Sequence, residues 1–469
     1  MFKRLLLLAA GAAVLGLVTL AVLYQFFGLR IRPDGTLIPQ IEFVQTPDQQ
    51  ARAIERHREA QRAATPPATP AAASAADAPV IELAKVAWPS FRGADRDGHY
   101  RDTPIRTEWP AAGFKAMWRQ PVGGGYASFA VAGRRAFTIE QRGTDEVVAA
   151  YDVATGRELW TNAWPGFFQE SMGGDGPRAT PTWADGLVYA LGADGELRCL
   201  DDSTGKVVWR TNMLKDAGAA NLTWGMAAAP LVSGDAVIVL PGGGAGHSVV
   251  AYDRKTGRPL WNVLDDPPAY VAPMQVTLAG TPQFLIVSGK RLIGLSLDTH
   301  AVLWEHPWLT NMDINIAQPI VIGDNRVFYS SGYGVGATVI EIAKTGDWFA
   351  VREVWRNTRM KNRVSSSVLH NGFIYGMDEG IFACVDAQTG DLKWKGGRYG
   401  HGQVLLASGR LVVLTEAGEL VLVEPTPDAH REIARFPAVS GKTWNAPAFA
   451  GGILLVRNAS EMAAFDMRK

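Results

Sequence analysis

Chemistry in this chain has few residues to draw on. Its 469 residues include two cysteines, Cys199 and Cys384, and eight histidines. Two cysteines exclude both a disulfide framework and a four-cysteine metal site. No HExxH or comparable pair signals a metal centre. Asp95-x-Asp97-Gly98 starts like a calcium loop, but an EF-hand needs a further carboxylate or amide before the Gly and a Glu beyond it, so the segment reads as a turn. Pro241-Gly242-Gly243-Gly244-Ala245-Gly246 has the glycines of a phosphate loop. No Lys-Ser/Thr follows, and strands flank it rather than a helix N-terminus, so it reads as a hairpin loop.

A richer set of side chains lies in short segments unlike the rest of the sequence: Gly125-Tyr126-Ala127-Ser128, Arg178-Ala179-Thr180, Thr223-Trp224-Gly225, Lys361-Asn362-Arg363, Tyr399-Gly400-His401 and Gly441-Lys442-Thr443-Trp444. Tyr126, Trp224, Tyr270 and Trp444 offer flat faces, and Arg178, Lys361, Arg363, His401 and Lys442 offer charge. Asp175 and Asp313 are the two obvious acids among them. Whether these groups meet depends on the architecture that carries them.

That architecture is written as a repeat. Ala150-Tyr151-Asp152-Val153-Ala154-Thr155-Gly156-Arg157-Glu158-Leu159-Trp160 recurs up to Trp209, Trp261 and Trp394, with looser copies ending at Trp304 and Trp355. An Asp can cap a tight turn, Gly supplies its positive φ, and alternating apolar residues make both arms strands. Upstream of most copies lies a second Gly-punctuated strand pair, so each unit has four strands. Aromatic wedges at Trp118, Trp160, Trp209, Trp261, Trp304, Trp355, Trp394 and Phe436 are spaced by about 45 residues, the size of a propeller blade. The sequence therefore predicts an all-β, eight-bladed β-propeller of four-stranded blades. Ala463-Ala464-Phe465-Asp466-Met467 matches the first half of a repeat and lacks its wedge arm, whereas Lys115-Ala116-Met117-Trp118 is a wedge arm without a partner. The two are expected to pair and close the ring. In such a ring the unusual segments all precede first strands, so they should collect at one mouth of the central channel.

The repeat resembles the pyrroloquinoline-quinone (PQQ)-type repeats of quinoprotein alcohol dehydrogenases and of the barrel-assembly lipoprotein of the bacterial outer membrane. The resemblance covers residues 88–469, and Trp88-Pro89-Ser90-Phe91-Arg92-Gly93-Ala94-Asp95-Arg96-Asp97-Gly98 is similar to the lead-in before the propeller in bacterial members. It implies two functions. The dehydrogenases hold a quinone against adjacent cysteines, with a calcium ion placed by Glu, Asn and Asp and a tryptophan floor. Here Cys199 and Cys384 occupy equivalent positions four blades apart, so PQQ would lack its adjacent-cysteine site, and no cofactor is expected. The lipoprotein implies a binding or scaffold role in envelope-protein assembly rather than catalysis.

The mouth would bind an anionic small molecule, a quinone carrying carboxylates or a polypeptide C-terminus at Tyr126, Arg178, Trp224, Lys361, Arg363, His401, Lys442 and Trp444; a wet channel without a ligand is the plainer alternative. Lys plus Arg and Asp plus Glu are equal at 46 each, so no global field draws nucleic acid.

Residues 5–29 carry no charge and follow Lys3 and Arg4. As a helix they would span roughly 37 Å, enough to cross a bilayer core of about 30 Å. The run is longer than the apolar part of a signal peptide and no Cys follows it, so residues 1–29 read as an uncleaved single-pass anchor in the bacterial inner membrane, with the propeller in the periplasm. Arg30 and Arg32 weaken the charge asymmetry that sets this orientation. Residues 30–87 read as an Ala/Pro-rich spacer, in which Arg52, Glu55, Arg58, Glu59 and Arg62 mark a solvated helix.

Overall fold

The computed structural model describes residues 11, 14–24, 29–33, 39–43, 46–64, 88–170 and 172–469. The spacer beyond residue 64 and parts of the expected anchor lie outside the described residues. Residues 14–24 are helical, and among the described residues no helix is long and apolar enough to cross a membrane.

Eight antiparallel blades surround one axis. Blade 1 is the meander Ala130–Ala132, Arg135–Arg142, Asp145–Asp152 and Glu158–Pro165. Blades 2 to 7 repeat it, with first strands at Thr182–Ala184, Leu231–Ser233, Met274–Leu278, Ile320–Ile322, Val368–His370 and Gln403–Ala407. Blade 8 takes Ala448–Ala450, Ile453–Arg457 and Glu461–Asp466 from the C-terminal end and Ala116–Pro121 from the N-terminal side. Trp118 stands opposite Ala464 in that pairing, so the ring closes as the sequence predicts.

Each residue of the repeat has a local task. Asp152 Oδ1 accepts from the backbone N–H of Thr155 at 2.9 Å, and Asp201 and Asp253 cap their turns in the same way. The turn glycine answers to the neighbouring blade as well as to its own φ. A Cβ on Gly156 would come within 2.7 Å of the Trp118 indole, and Gly257 and Gly390 meet Trp209 and Trp355 likewise. Each of those indoles then donates to a carbonyl of the same turn: Trp118 to Val153, Trp209 to Arg254 and Trp355 to Ala387. The Trp of one blade and the Gly of the next are thus a single joint, and the apolar core lies between adjacent blades.

Two segments before the ring are built into it. The first is Pro47–Ala63, an α-helix capped by Thr46 and Gln49. It is not a solvated spacer. Gln50 Nε2 donates to Val122 O at 2.8 Å, Ile54 and Arg58 are buried, and Arg58 reaches Glu158 at 3.1 Å, Gln120 at 2.9 Å and the Tyr151 hydroxyl at 3.3 Å. The helix therefore lies across the seam where blades 8 and 1 close.

The second is the lead-in, which enters the channel as a plug. Trp88 bridges Val131 of blade 1, Pro89 accepts from Trp183 of blade 2, and His99–Tyr100 adds a short parallel strand to blade 7. Tyr100 stacks on Phe449 of blade 8 with ring centroids 4.6 Å apart. Arg92 donates to Ser367 O at 2.7 Å and Val404 O at 3.2 Å, while Arg96 reaches Pro230 O at 2.5 Å, Pro273 O at 2.8 Å and Ala229 O at 3.1 Å. Both guanidinium groups are buried, and desolvation lowers the Arg92 pKa to about 10 and the Arg96 pKa to about 9. Asp97 caps His99 and pairs with Arg101, which agrees with a turn.

Candidate functional site

The segments before the first strands converge, and they enclose a cavity of about 200 Å³ at one mouth of the channel. Tyr126, Arg178, Trp224, Arg363, His401 and Trp444 all line it, together with Tyr270. Tyr126 and Trp444 stack with centroids 5.5 Å apart, and Trp224 lies 5.9 Å from Tyr270. His401 is buried, its backbone N–H held by Glu416 and its ring edge-on to Trp444. Three large side chains are among the lining groups that escape the sequence reading. Phe91 of the plug helps to line the cavity, Tyr333 lies in its wall, and Met172 stands at its lip. A large apolar residue inside an otherwise polar lead-in is the one signal that could have pointed to Phe91.

Of the expected cations, Arg178, Arg363 and His401 line the cavity and Lys442 lies against its Trp444 wall, whereas Lys361 stands apart. Lys361 does not line the cavity; its Nζ pairs with Asp378 at 2.8 Å, a carboxylate it shares with Lys395. Lys442 lies over the Trp444 ring at 3.5 Å and donates to Met172 O. The Arg178 side chain is largely covered, 3.5 Å from Glu170, and donates to Gly174 O at 2.6 Å and to Gly176 O. Its faces meet Phe168 at 4.5 Å and Tyr126 at 5.8 Å, and desolvation lowers its pKa. Arg363 lies 4.2 Å over the Tyr333 ring. The physical reason for the departure is that burying a cation demands a partner, and Glu170 and Asp378 supply two of them.

Beside the mouth, Glu146 is an unusual acid. It is buried between blades 1 and 2, accepting from Ala193 N at 2.8 Å and Trp164 Nε1 at 3.0 Å. Desolvation raises its pKa from 4.5 to about 7. The folded protein thus holds a proton that the unfolded chain releases, so stability falls as pH rises from about 4.5 to about 7. Comparing denaturant melts of the protein and of Glu146→Gln across that window is expected to show the protein losing up to about 3 kcal/mol relative to the variant. Parallel curves would refute the assignment.

Neither cysteine has a neighbouring cysteine in the sequence. Cys199 and Cys384 are free and buried in blades 2 and 6, and burial pushes both thiols up to about 12. Among the described residues no group of three or more His, Cys, Asp or Glu side chains could hold a metal ion.

Comparison with known proteins agrees with the repeat. The outer membrane protein assembly factor BamB of Burkholderia pseudomallei is 24% identical over 392 residues, covering 73% of this chain and 96% of that protein. The BamB of Bordetella pertussis is 22% identical over 316 residues, covering 64% of this chain and 72% of its own. Among solved structures, the quinohemoprotein alcohol dehydrogenase of Comamonas testosteroni superposes with a TM-score of 0.58 at 13% identity over 81% of each chain, a likeness of fold. A family model described as outer membrane protein assembly factor BamB matches residues 144–396. With more than half of its residues matched, the chain belongs to the family of the outer membrane protein assembly factor BamB.

Proposed function

We propose that this protein is a single-pass propeller of the bacterial inner membrane that works in the periplasm as a binding or scaffold protein in envelope-protein assembly. The uncharged run from residue 5 to residue 29 supports the anchor, and the family supports the process. The observation that carries the reading is the mouth itself: an aromatic dish built on a plugged channel, whose cations are engaged by the protein's own groups. Such a surface can hold a partner.

A photo-crosslinking residue at Met172 in the full-length, membrane-borne protein is expected to yield adducts with envelope-assembly proteins. The same probe at Trp348, exposed at the tip of the blade 5 hairpin, is expected to yield fewer. Adducts from Trp348 alone would move the binding face to the other side of the ring. The ring architecture shared with the dehydrogenase gives a second reading, a quinone-dependent oxidoreductase, which a new absorption band on adding PQQ and calcium would favour.

A further inference from the structure

The walls of the mouth specify the chemistry of the guest, and from them we infer that the cavity receives a neutral aromatic side chain presented by an extended polypeptide, rather than an anion. This rests on the reading that the mouth binds protein.

The cavity is of the right size and lining. An apolar cavity of about 150 Å³ accepts a benzene ring, and this one, at about 200 Å³, has room for one large side chain. Tyr126, Trp224, Tyr270, Tyr333 and Trp444 offer ring faces and edges around it, and Phe91 adds a further aromatic surface, the environment in which a further ring packs edge-to-face or offset.

The charges present favour a ring over a carboxylate. The Arg178 hydrogen-bonding edge is occupied by Gly174 O and Gly176 O, with Glu170 beside it, and the guanidinium already stacks on Phe168 and Tyr126. Arg363 lies against Tyr333 in the same manner. Both guanidinium groups are thus already engaged with aromatic rings of the wall, and the surface left to a guest is that of the remaining rings. An incoming anion would have to displace Glu170.

The lip shows that the guest is part of a chain. Phe167 and Met172 are 40% and 39% exposed on the connection from blade 1 to blade 2, and Leu309 and Met312 are 66% and 74% exposed on the connection from blade 4 to blade 5. Both connections lead to first strands and so cross the mouth face. One ring in the cavity cannot cover two loops three blades apart, whereas an extended segment with apolar residues on either side of its aromatic anchor can.

Calorimetric titration of the full-length protein in nanodiscs tests this with three probes: a capped neutral octapeptide carrying two Phe residues, the same peptide with Glu in their place, and N-acetylphenylalaninamide. The Phe peptide is expected to bind at least about tenfold more tightly than either of the others, with little change between low and high salt. Ala227→Phe, which fills the cavity, should weaken the Phe peptide by about tenfold or more while the melting curve is kept; Trp224→Ala gives the same readout should the first variant misfold. Tighter, salt-sensitive binding of the Glu peptide would overturn the inference, as would equal binding of the free amide or no preference among the three. Met172 adducts without a Phe preference would overturn the guest chemistry alone, whereas a mouth that yields no protein adducts would remove the reading beneath it.

Discussion

A chain that begins at Pro121 is expected to lose the ring as a cooperative unit, while one that begins at Ala87 keeps a single sharp melting transition. The shorter chain lacks the outer strand of blade 8, in which Trp118 pairs with Ala464 and donates to Val153 O at 2.8 Å, and it also lacks the plug. At roughly 1.5–3 kcal/mol for each large buried side chain, losing Trp88 and Tyr100 removes on the order of 3–6 kcal/mol, and the half-buried Trp118 adds to it. That is comparable with the whole net stability of a domain, about 5–15 kcal/mol. It also leaves Glu461–Asp466 as an open edge, which invites association. Calorimetry with light scattering checks both effects. Superimposable melts for the two chains would mean that the ring is closed by other contacts.

Arg96→Met should lower stability by about 3 kcal/mol or more. Among the described residues Arg96 has no carboxylate partner; it donates to Ala229 O, Pro230 O and Pro273 O, and a buried carbonyl left without its donor costs about 1–3 kcal/mol. The methionine fills much of the same volume, so the loss reads the hydrogen bonds rather than a cavity. Arg101→Ala is the control: Arg101 is half exposed and pairs with Asp95 and Asp97 at the surface, where a salt bridge contributes about 0–1 kcal/mol. Equal melting midpoints for the two variants would show that the plug is held by packing alone.

The blades were legible because every residue of the repeat acts within its own turn or on the next one. Asp152 caps, Gly156 makes room and Trp118 fills it, so the physics recurs at the period of the sequence. The mouth was legible for the opposite reason: its residues depart from the repeat where they precede first strands. The plug was not, because Arg92 and Arg96 bind backbone carbonyls, which every residue carries, and no complementary side chain marks the target. The docked helix hid its contacts in a polar stretch whose buried face is essentially Ile54 and Arg58. The positive focus is offset by partners that spacing does not reveal: Asp378 ends the second strand of blade 6, 17 residues beyond Lys361, and Glu170 lies 3.5 Å from Arg178 within the connection from blade 1 to blade 2.

The clasp between Ala116–Pro121 and Glu461–Asp466 also sets a timetable for birth. The earlier strand leaves the ribosome some 340 residues before its partner, a delay of roughly 20–70 s at about 5–20 residues per second. Throughout that interval each finished blade can dock on its neighbour, but the first strand of the clasp stays single and the ring stays open. Closure therefore belongs to the last moments of synthesis, and a nascent chain arrested before Ile453 should be captured by factors that bind unpaired strands, whereas the released chain should not.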